Sequence, residues 1–220
     1  MEQAGESEFG AEPADGAELY QQLRLQLLDG SIAAGSAILE TSLSAQLGVS
    51  RTPIREALLR LEWEGLLDRA ARGFRIRRRS PNEVLQIYEA RMALEVEAAA
   101  AAAQRSLPLD LARLRHLQEQ GEQSPDEATS RLINGQWHRA LRAAAHNESI
   151  RELVERLNRQ LDVAESISNP QGTDLAANVQ DHARVLDSIA RRDPDAARVA
   201  MTAHLERVRD LRMAAFVRSE

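Results

Sequence analysis

The sequence predicts a mainly α-helical protein in two parts: three helices with a short hairpin, then an all-α bundle of six helices. Three observations carry this. Aromatic residues are only 3% of the 220 residues, while long Ala/Leu/Arg/Glu stretches, all good helix formers, fill the chain. Apolar residues recur at 3.6-residue spacing almost throughout, and the period changes between Leu66 and Arg79, where Phe74 and Ile76 alternate with Arg75 and Arg77. Gly and Pro then punctuate the periodic stretches at places where helices of ordinary length would end.

Residues 1–16 are acidic and rich in Gly, Ala and Pro, and are expected to be a disordered tail. A first helix is predicted over Ala17–Asp29, with Leu19, Leu23 and Leu27 on one side and Gly30 as its stop. Ser31 to Ala37 reads as a loop. A second helix is predicted over Glu40–Leu47 and a third over Arg51–Glu64, closed by Gly65. Between them, Gly48 can take the positive φ that ends one helix, and Ser50 can cap the next. Pro53 falls in the first turn, where a missing N–H costs nothing. Ile54, Ala57, Leu58 and Leu61 give the third helix a buried face, and Arg51 and Arg55 share a different one. Phe74 and Ile76 alternate with Arg75 and Arg77, and Ala71-Arg72-Gly73 is a hairpin turn between Leu66–Ala70 and Phe74–Arg78. Three helices and a basic hairpin over residues 17–79 make a winged helix-turn-helix.

That arrangement points to double-stranded DNA. A helix that packs by one side and offers two guanidinium groups near its N-terminus suits the major groove, where Arg bonds guanine O6 and N7 bidentately. Arg51 and Arg55 are the base readers in this reading, Thr52 a phosphate contact, and Arg72 with Gly73 the wing. The net charge of −6 does not oppose it. Residues 1–18 hold six acids and no base, whereas residues 51–79 hold nine Arg against four acids. The position of charge sets the field that a phosphate backbone meets.

Residues 80–220 form the second part. Helices are predicted over 81–106, 108–122, 126–145, 148–168, 173–192 and 194–217, with Ser124, Asn147, Thr173 and Asp193 as caps. All five His lie here. His116 and His146 read as surface residues. The other three interrupt apolar stripes: His138 beside Leu141 and Ala145, His182 among Val179, Leu186 and Ile189, and His204 among Met201, Val208 and Leu211. Asn134 lies one turn before His138. Buried polar groups need partners. A lone inward His is usually satisfied by the core around it, but three on separate helices can meet that need together by binding one metal ion.

The chain has no cysteine, which excludes disulfides and thiolate metal sites. No run is apolar enough to span a bilayer and no signal-peptide pattern opens the chain, so a cytoplasmic protein without a membrane partner is expected. All 28 basic residues are Arg, which fits a GC-rich coding bias and carries no functional weight.

The pattern Ile38-x-Glu40-x-x-Leu43, then Leu47-Gly-Val-Ser-Arg-Thr-Pro-Ile-Arg-Glu-Ala-Leu58, Glu64-Gly65-Leu66 and Arg72-Gly73-Phe74, resembles the DNA-binding domain of the GntR family of bacterial transcription regulators. Glu89-Ala-Arg91-x-x-Leu94-Glu95, Asn134-x-x-x-His138-Arg-Ala-Leu141, Asp181-His182 and Met201-x-x-His204-Leu205 resemble the FadR-type C-terminal (FCD) domain. Six helices rather than seven match its VanR-like version. The resemblance covers about residues 17–217. It implies a homodimer on an inverted-repeat operator whose affinity changes when a small carboxylate metabolite enters the C-terminal bundle. It also implies a divalent metal ion of the Zn, Ni or Mn class on Asn134, His138, His182 and His204, and Arg91 as the partner of the effector carboxylate. Two residues depart from the pattern: Asn134 stands where Asp is more usual, and Thr41 where some members carry a DNA-contacting Arg.

Three other functions remain open at this point. A metal ion with open positions can activate water, which would make the chain a metal-dependent hydrolase fused to a DNA binder. No general base stands beside the His set, and such an enzyme would leave the first domain unexplained, so an enzyme is not expected. The ion itself can be the effector, making a metal sensor. Or the bundle is structural and the chain an architectural DNA binder.

Overall fold

The structure, a computed structural model, describes residues 16–32, 36–168 and 174–218. Gly16 opens the first helix. The rest of the segment expected to be a disordered tail, the Asn169–Gly172 break and Thr173 lie outside the described residues. Contacts divide the chain between Arg78 and Arg79 into two compact units.

The first unit holds α1 (Gly16–Leu28), α2 (Glu40–Leu47), α3 (Arg51–Trp63), β1 (Leu67–Arg69) and β2 (Phe74–Ile76). Packing of α1 on α3 buries Leu19, Leu23 and Leu27 with Ile54, Leu58 and Leu61. Each apolar stripe excludes water only because the other covers it. Tyr20 donates to Glu64 Oε2 at 2.6 Å, so the acid that follows α3 is buried and satisfied. Gly48 ends α2 with φ 67°, and its N–H donates to Ser44 O. Ser50 holds the N-cap position of α3 with extended backbone, but its side chain makes no capping bond. The strands pair antiparallel, Leu67 with Ile76 and Arg69 with Phe74. Ile38 adds a third rung: its N–H donates to Phe74 O at 2.7 Å, and Phe74 N–H donates to Ile38 O at 2.9 Å.

The second unit holds α4 (Pro81–Arg105), α5 (Pro108–Glu122), α6 (Glu127–Ala144), α7 (Glu148–Ser168), α8 (Leu175–Ala190) and α9 (Pro194–Arg218). Central in it is α4, which packs against α6, α7, α8 and α9. A capping box starts that helix: Ser80 Oγ accepts from Glu83 N, Glu83 Oε2 accepts from Ser80 N, and Pro81 fills N1. Its second half, Ala98–Ala103, is buried on every side and forms the core with Leu114, Trp137, Leu141, Val185, Ile189 and Met201.

Several local expectations change. The cap of α6 is Asp126, whose Oδ1 accepts from Thr129 N at 2.8 Å; Ser124 instead donates to Asp126 O. The cap of α8 is Asp174, not Thr173, and accepts from Ala177 N at 2.9 Å. Asn147 and Asp193 do cap, accepting from Ile150 N and Ala196 N. Leu211 is 39% exposed and leaves the inward stripe of α9. Arg79, last of the basic run, is buried in the second unit, where its Nη2 donates to Gln160 Oε1 at 3.1 Å. The sequence placed it with the wing; its hydrogen bond and burial place it with the bundle.

Candidate functional sites

In the first unit, the N-terminal half of α3 presents Arg51, Thr52 and Arg55 to solvent. Both guanidinium groups turn to one acid on α2. Arg51 Nη2 lies 3.2 Å from Glu40 Oε2 and Arg55 Nε 3.9 Å from Glu40 Oε1, with both arginine side chains 65% exposed. Arg72 is exposed in the hairpin turn. Gly73 follows it with φ 71°, and a Cβ there would lie 2.2 Å from Ile38 O. Glycine at this point is therefore demanded by the close approach of the third rung.

In the second unit, α6, α8 and α9 bring His138, His182 and His204 together. One nitrogen from each lies within 4.8 Å of the others, and all three residues are buried. His204 Nε2 and His138 Nε2 face each other at 3.4 Å. The opposite edges of these two rings meet carboxylates. His138 Nδ1 is 3.3 Å from Glu95 Oε2, and His204 Nδ1 is 3.3 Å from Asp181 Oδ2. A proton on Nδ1, facing a carboxylate, leaves Nε2 with the lone pair that a cation needs; with no cation, the 3.4 Å approach is a hydrogen bond between the two Nε2 atoms. His182 stacks on Trp137 with ring centroids 3.8 Å apart, and its Nε2 is buried without a hydrogen-bond partner.

The electrostatics follow from burial. It pushes all three imidazoles below their ordinary pKa: His138 despite Glu95, His182 strongly, and His204 to about 3. Neutral imidazole is the ligating form. Burial opposes ionisation of Glu95, yet Arg91, the neighbouring His138 and Arg142 together hold it well below the usual carboxylate range. Asp181 is likewise held low against burial by Arg207 and His204.

These residues fit a divalent ion. Two nitrogens about 2.0–2.1 Å from a tetrahedral zinc stand about 3.4 Å apart, the separation of the His138 and His204 Nε2 atoms. The orphaned Nε2 of His182 supplies a third donor. Asn134 Oδ1 accepts from Asn178 Nδ2 at 3.3 Å, and Asn178 Oδ1 accepts from Arg207 Nη2 at 2.6 Å. Three neutral rings and an amide bring no charge, but Glu95 and Asp181 stand directly behind two of the rings.

His138, His204 and Asn134 also line a cavity of about 280 Å³. Arg91, Arg139, Arg142 and Arg212 line it too, and Asp162 is the single acid on its wall among the described residues. Such a wall attracts anions. Arg91 Nε donates to Glu95 Oε1 at 2.6 Å. His116 and His146 stay outside the cluster; His146 is exposed and pairs with Asp110 at 2.8 Å.

Sequence reasoning missed Glu95, Asp181, Trp137 and the additional cavity arginines. Glu95 and Asp181 stand within the motifs that carried the resemblance, but an Arg and a Glu four apart on a helix read as a surface pair. Only the helices packed around α4 bury them.

The family comparisons agree with this architecture. Residues 16–76 match the model of the bacterial regulatory proteins, gntR family, and residues 86–207 match the FCD domain. The chain is 30% identical over 193 residues to the uncharacterized HTH-type transcriptional regulator YdhC of Bacillus subtilis, covering 85% of this chain and 86% of that one. It is 34% identical over 176 residues to the Nta operon transcriptional regulator of Aminobacter aminovorans, covering 79% and 82%. Among solved structures, the fold is shared with E. coli McbR/YncC at a TM-score of 0.69 and 23% identity, covering 92% and 97%. The chain belongs to the GntR family, with an FCD domain as its second unit, and is a DNA-binding transcriptional regulator rather than an enzyme.

Proposed function

We propose that the second unit senses a small carboxylate and that the first unit reports it to DNA. The observation that carries this reading is the cluster of three buried imidazoles, two of which, His138 and His204, stand on the wall of an arginine-lined cavity. His138, His182 and His204, with Asn134, hold a divalent ion of the zinc, nickel or manganese class. A bound ion of this kind supplies a Lewis-acidic centre with open positions for a carboxylate. Arg91 pairs with the carboxylate from the cavity wall. In the first unit, Arg51 and Arg55 contact guanine edges or phosphates, Thr52 a phosphate, and Arg72 with Gly73 forms the wing. A homodimer sets two such readers about 34–36 Å apart on an inverted repeat. Because α4 follows the wing after a short connection, an effector that favours one arrangement of its helix pairs shifts operator affinity.

The test is elemental analysis of the purified protein, mass spectrometry of any acid that co-purifies, and operator binding by Arg91→Ala. The expected result is one metal site per chain, and an Arg91→Ala protein that binds operator but no longer responds to the acid. A protein that neither contains nor takes up a divalent ion removes the metal from the reading, and an unchanged response removes Arg91. One observation favours a second reading, an ion acting alone as effector: Arg91 and Arg142 already have a carboxylate partner in Glu95. Operator binding that responds to zinc with no organic acid present would select it.

A further inference from the structure

We propose that Glu95 couples the histidine cluster to the arginine-lined cavity, so that a cation on the first and an anion in the second tighten each other's binding. The proposal rests on reading the cluster as a cation site and the cavity as an anion site.

Glu95 is 0% exposed, on the central helix α4. Its two oxygens are used differently. Oε1 takes Arg91 Nε at 2.6 Å, a short charge-assisted bond. Oε2 lies 3.3 Å from His138 Nδ1 and 3.3 Å from Arg142 Nη1. Bonds to an ionised acceptor settle at about 2.7–2.9 Å. Oε2 thus accepts from Arg142, while His138 Nδ1 stands at the same distance without completing a hydrogen bond, and approach of Oε2 to one draws it from the other.

The two donors lead in different directions. The far nitrogen of His138 faces His204 in the cluster, whereas Arg142 lines the cavity. When the Nε2 lone pair of His138 is engaged by a cation, its Nδ1–H becomes a stronger donor and draws Oε2 towards the ring. Arg142 is then released towards the cavity. Conversely, an anion that engages Arg142 leaves Oε2 to His138, and the ring becomes a more basic ligand. Arg91 keeps its Nε on Oε1 while its terminal nitrogens face the anion, so the buried carboxylate is never left unpaired. In surroundings this dry, small changes in hydrogen bonding carry large electrostatic consequences. The coupling must also be reciprocal, because both effects share one free energy. Glu95 acts here through His138 and Arg142 and is a positioning residue.

The experiment uses the full chain, zinc as the cation, and succinate, citrate and inorganic phosphate as trial anions, the tightest being carried forward. Calorimetry is expected to show the anion tightening zinc binding about fivefold or more in the wild type, and zinc tightening the anion by the same factor. In Glu95→Gln the factor falls about threefold or more, leaving what direct coordination of the anion to the ion supplies, while the anion still binds. An undiminished factor in Glu95→Gln overturns the proposal, since ion and anion then act on each other directly. Histidine-ring NMR of the metal-free wild type gives a readout independent of that variant. Adding the anion is expected to move the His138 Nδ1–H resonance downfield, and Arg142→Gln to abolish the movement. No movement in the wild type, or the same movement in Arg142→Gln, overturns the coupling. If zinc or all three anions fail to bind the wild type, the site reading itself falls and the proposal with it. That outcome is distinct from two ligands that bind independently.

Discussion

Arg51 and Arg55 end on the two oxygens of Glu40, and this governs what they can do. Ion pairs this exposed contribute about 0–1 kcal/mol, so a phosphate or a guanine edge can displace Glu40 at small cost. Arg55→Ala is expected to weaken operator binding by about 1–3 kcal/mol if the contact is a bidentate base contact. Fluorescence anisotropy on labelled operator, beside a thermal melt to confirm the fold, measures it; no loss of affinity rules the contact out. At this scale the sequence was uneven as a guide. His138, His182 and His204 were legible because an imidazole inside an apolar stripe breaks a pattern. Glu95 was not, because four residues after Arg91 it completes a familiar pattern, and nothing local says that other helices bury it.

The helices were legible wherever a single residue could end them. Gly30, Gly48 and Gly65 all have positive φ at the ends of α1, α2 and α3. The start of α6 was less clear, because Ser124 and Asp126 both have capping side chains and the bond goes to whichever suits the first turn. Asp126 is three residues before Thr129 and receives both its N–H and its hydroxyl. The wing has a feature that alternation cannot reveal: its third rung comes from Ile38, before α2. Gly73 is therefore a packing requirement as well as a turn residue. Gly73→Ala would bring a methyl against Ile38 O and force positive φ on a residue with a Cβ. A destabilisation of about 1–3 kcal/mol is expected in denaturant melts, with weaker operator binding. A melt indistinguishable from wild type means the rung is not held this way.

Across the whole molecule, burial of ionisable groups sets how stability depends on pH. His204 falls from 6.5 to about 3 on folding. The unfolded chain therefore binds this proton more readily, and stability is full above about 6.5 and lost progressively as pH falls from there. His138 and His182, lowered in the same direction, add to it. Glu95, also lowered, contributes stability that is full above its ordinary 4.5 and lost as pH falls further. Metal-free protein should show a melting temperature that declines steadily from pH 7 to pH 4. A flat profile over that range would contradict the burial of the three rings. The run of six alanines in α4, Ala98–Ala103, has a last consequence for how such a regulator can diversify. Alanine has no side-chain rotamers to lose, so that half of the helix is ordered at the least entropic cost. It also leaves no slack: a larger residue at Ala98, Ala99, Ala102 or Ala103, each 0% exposed, overpacks the core. Room for substitution along α4 therefore lies outside that run, and the stretch before it carries Arg91 and Glu95. A lineage can change what the cavity recognises while the alanine half keeps the bundle's geometry fixed.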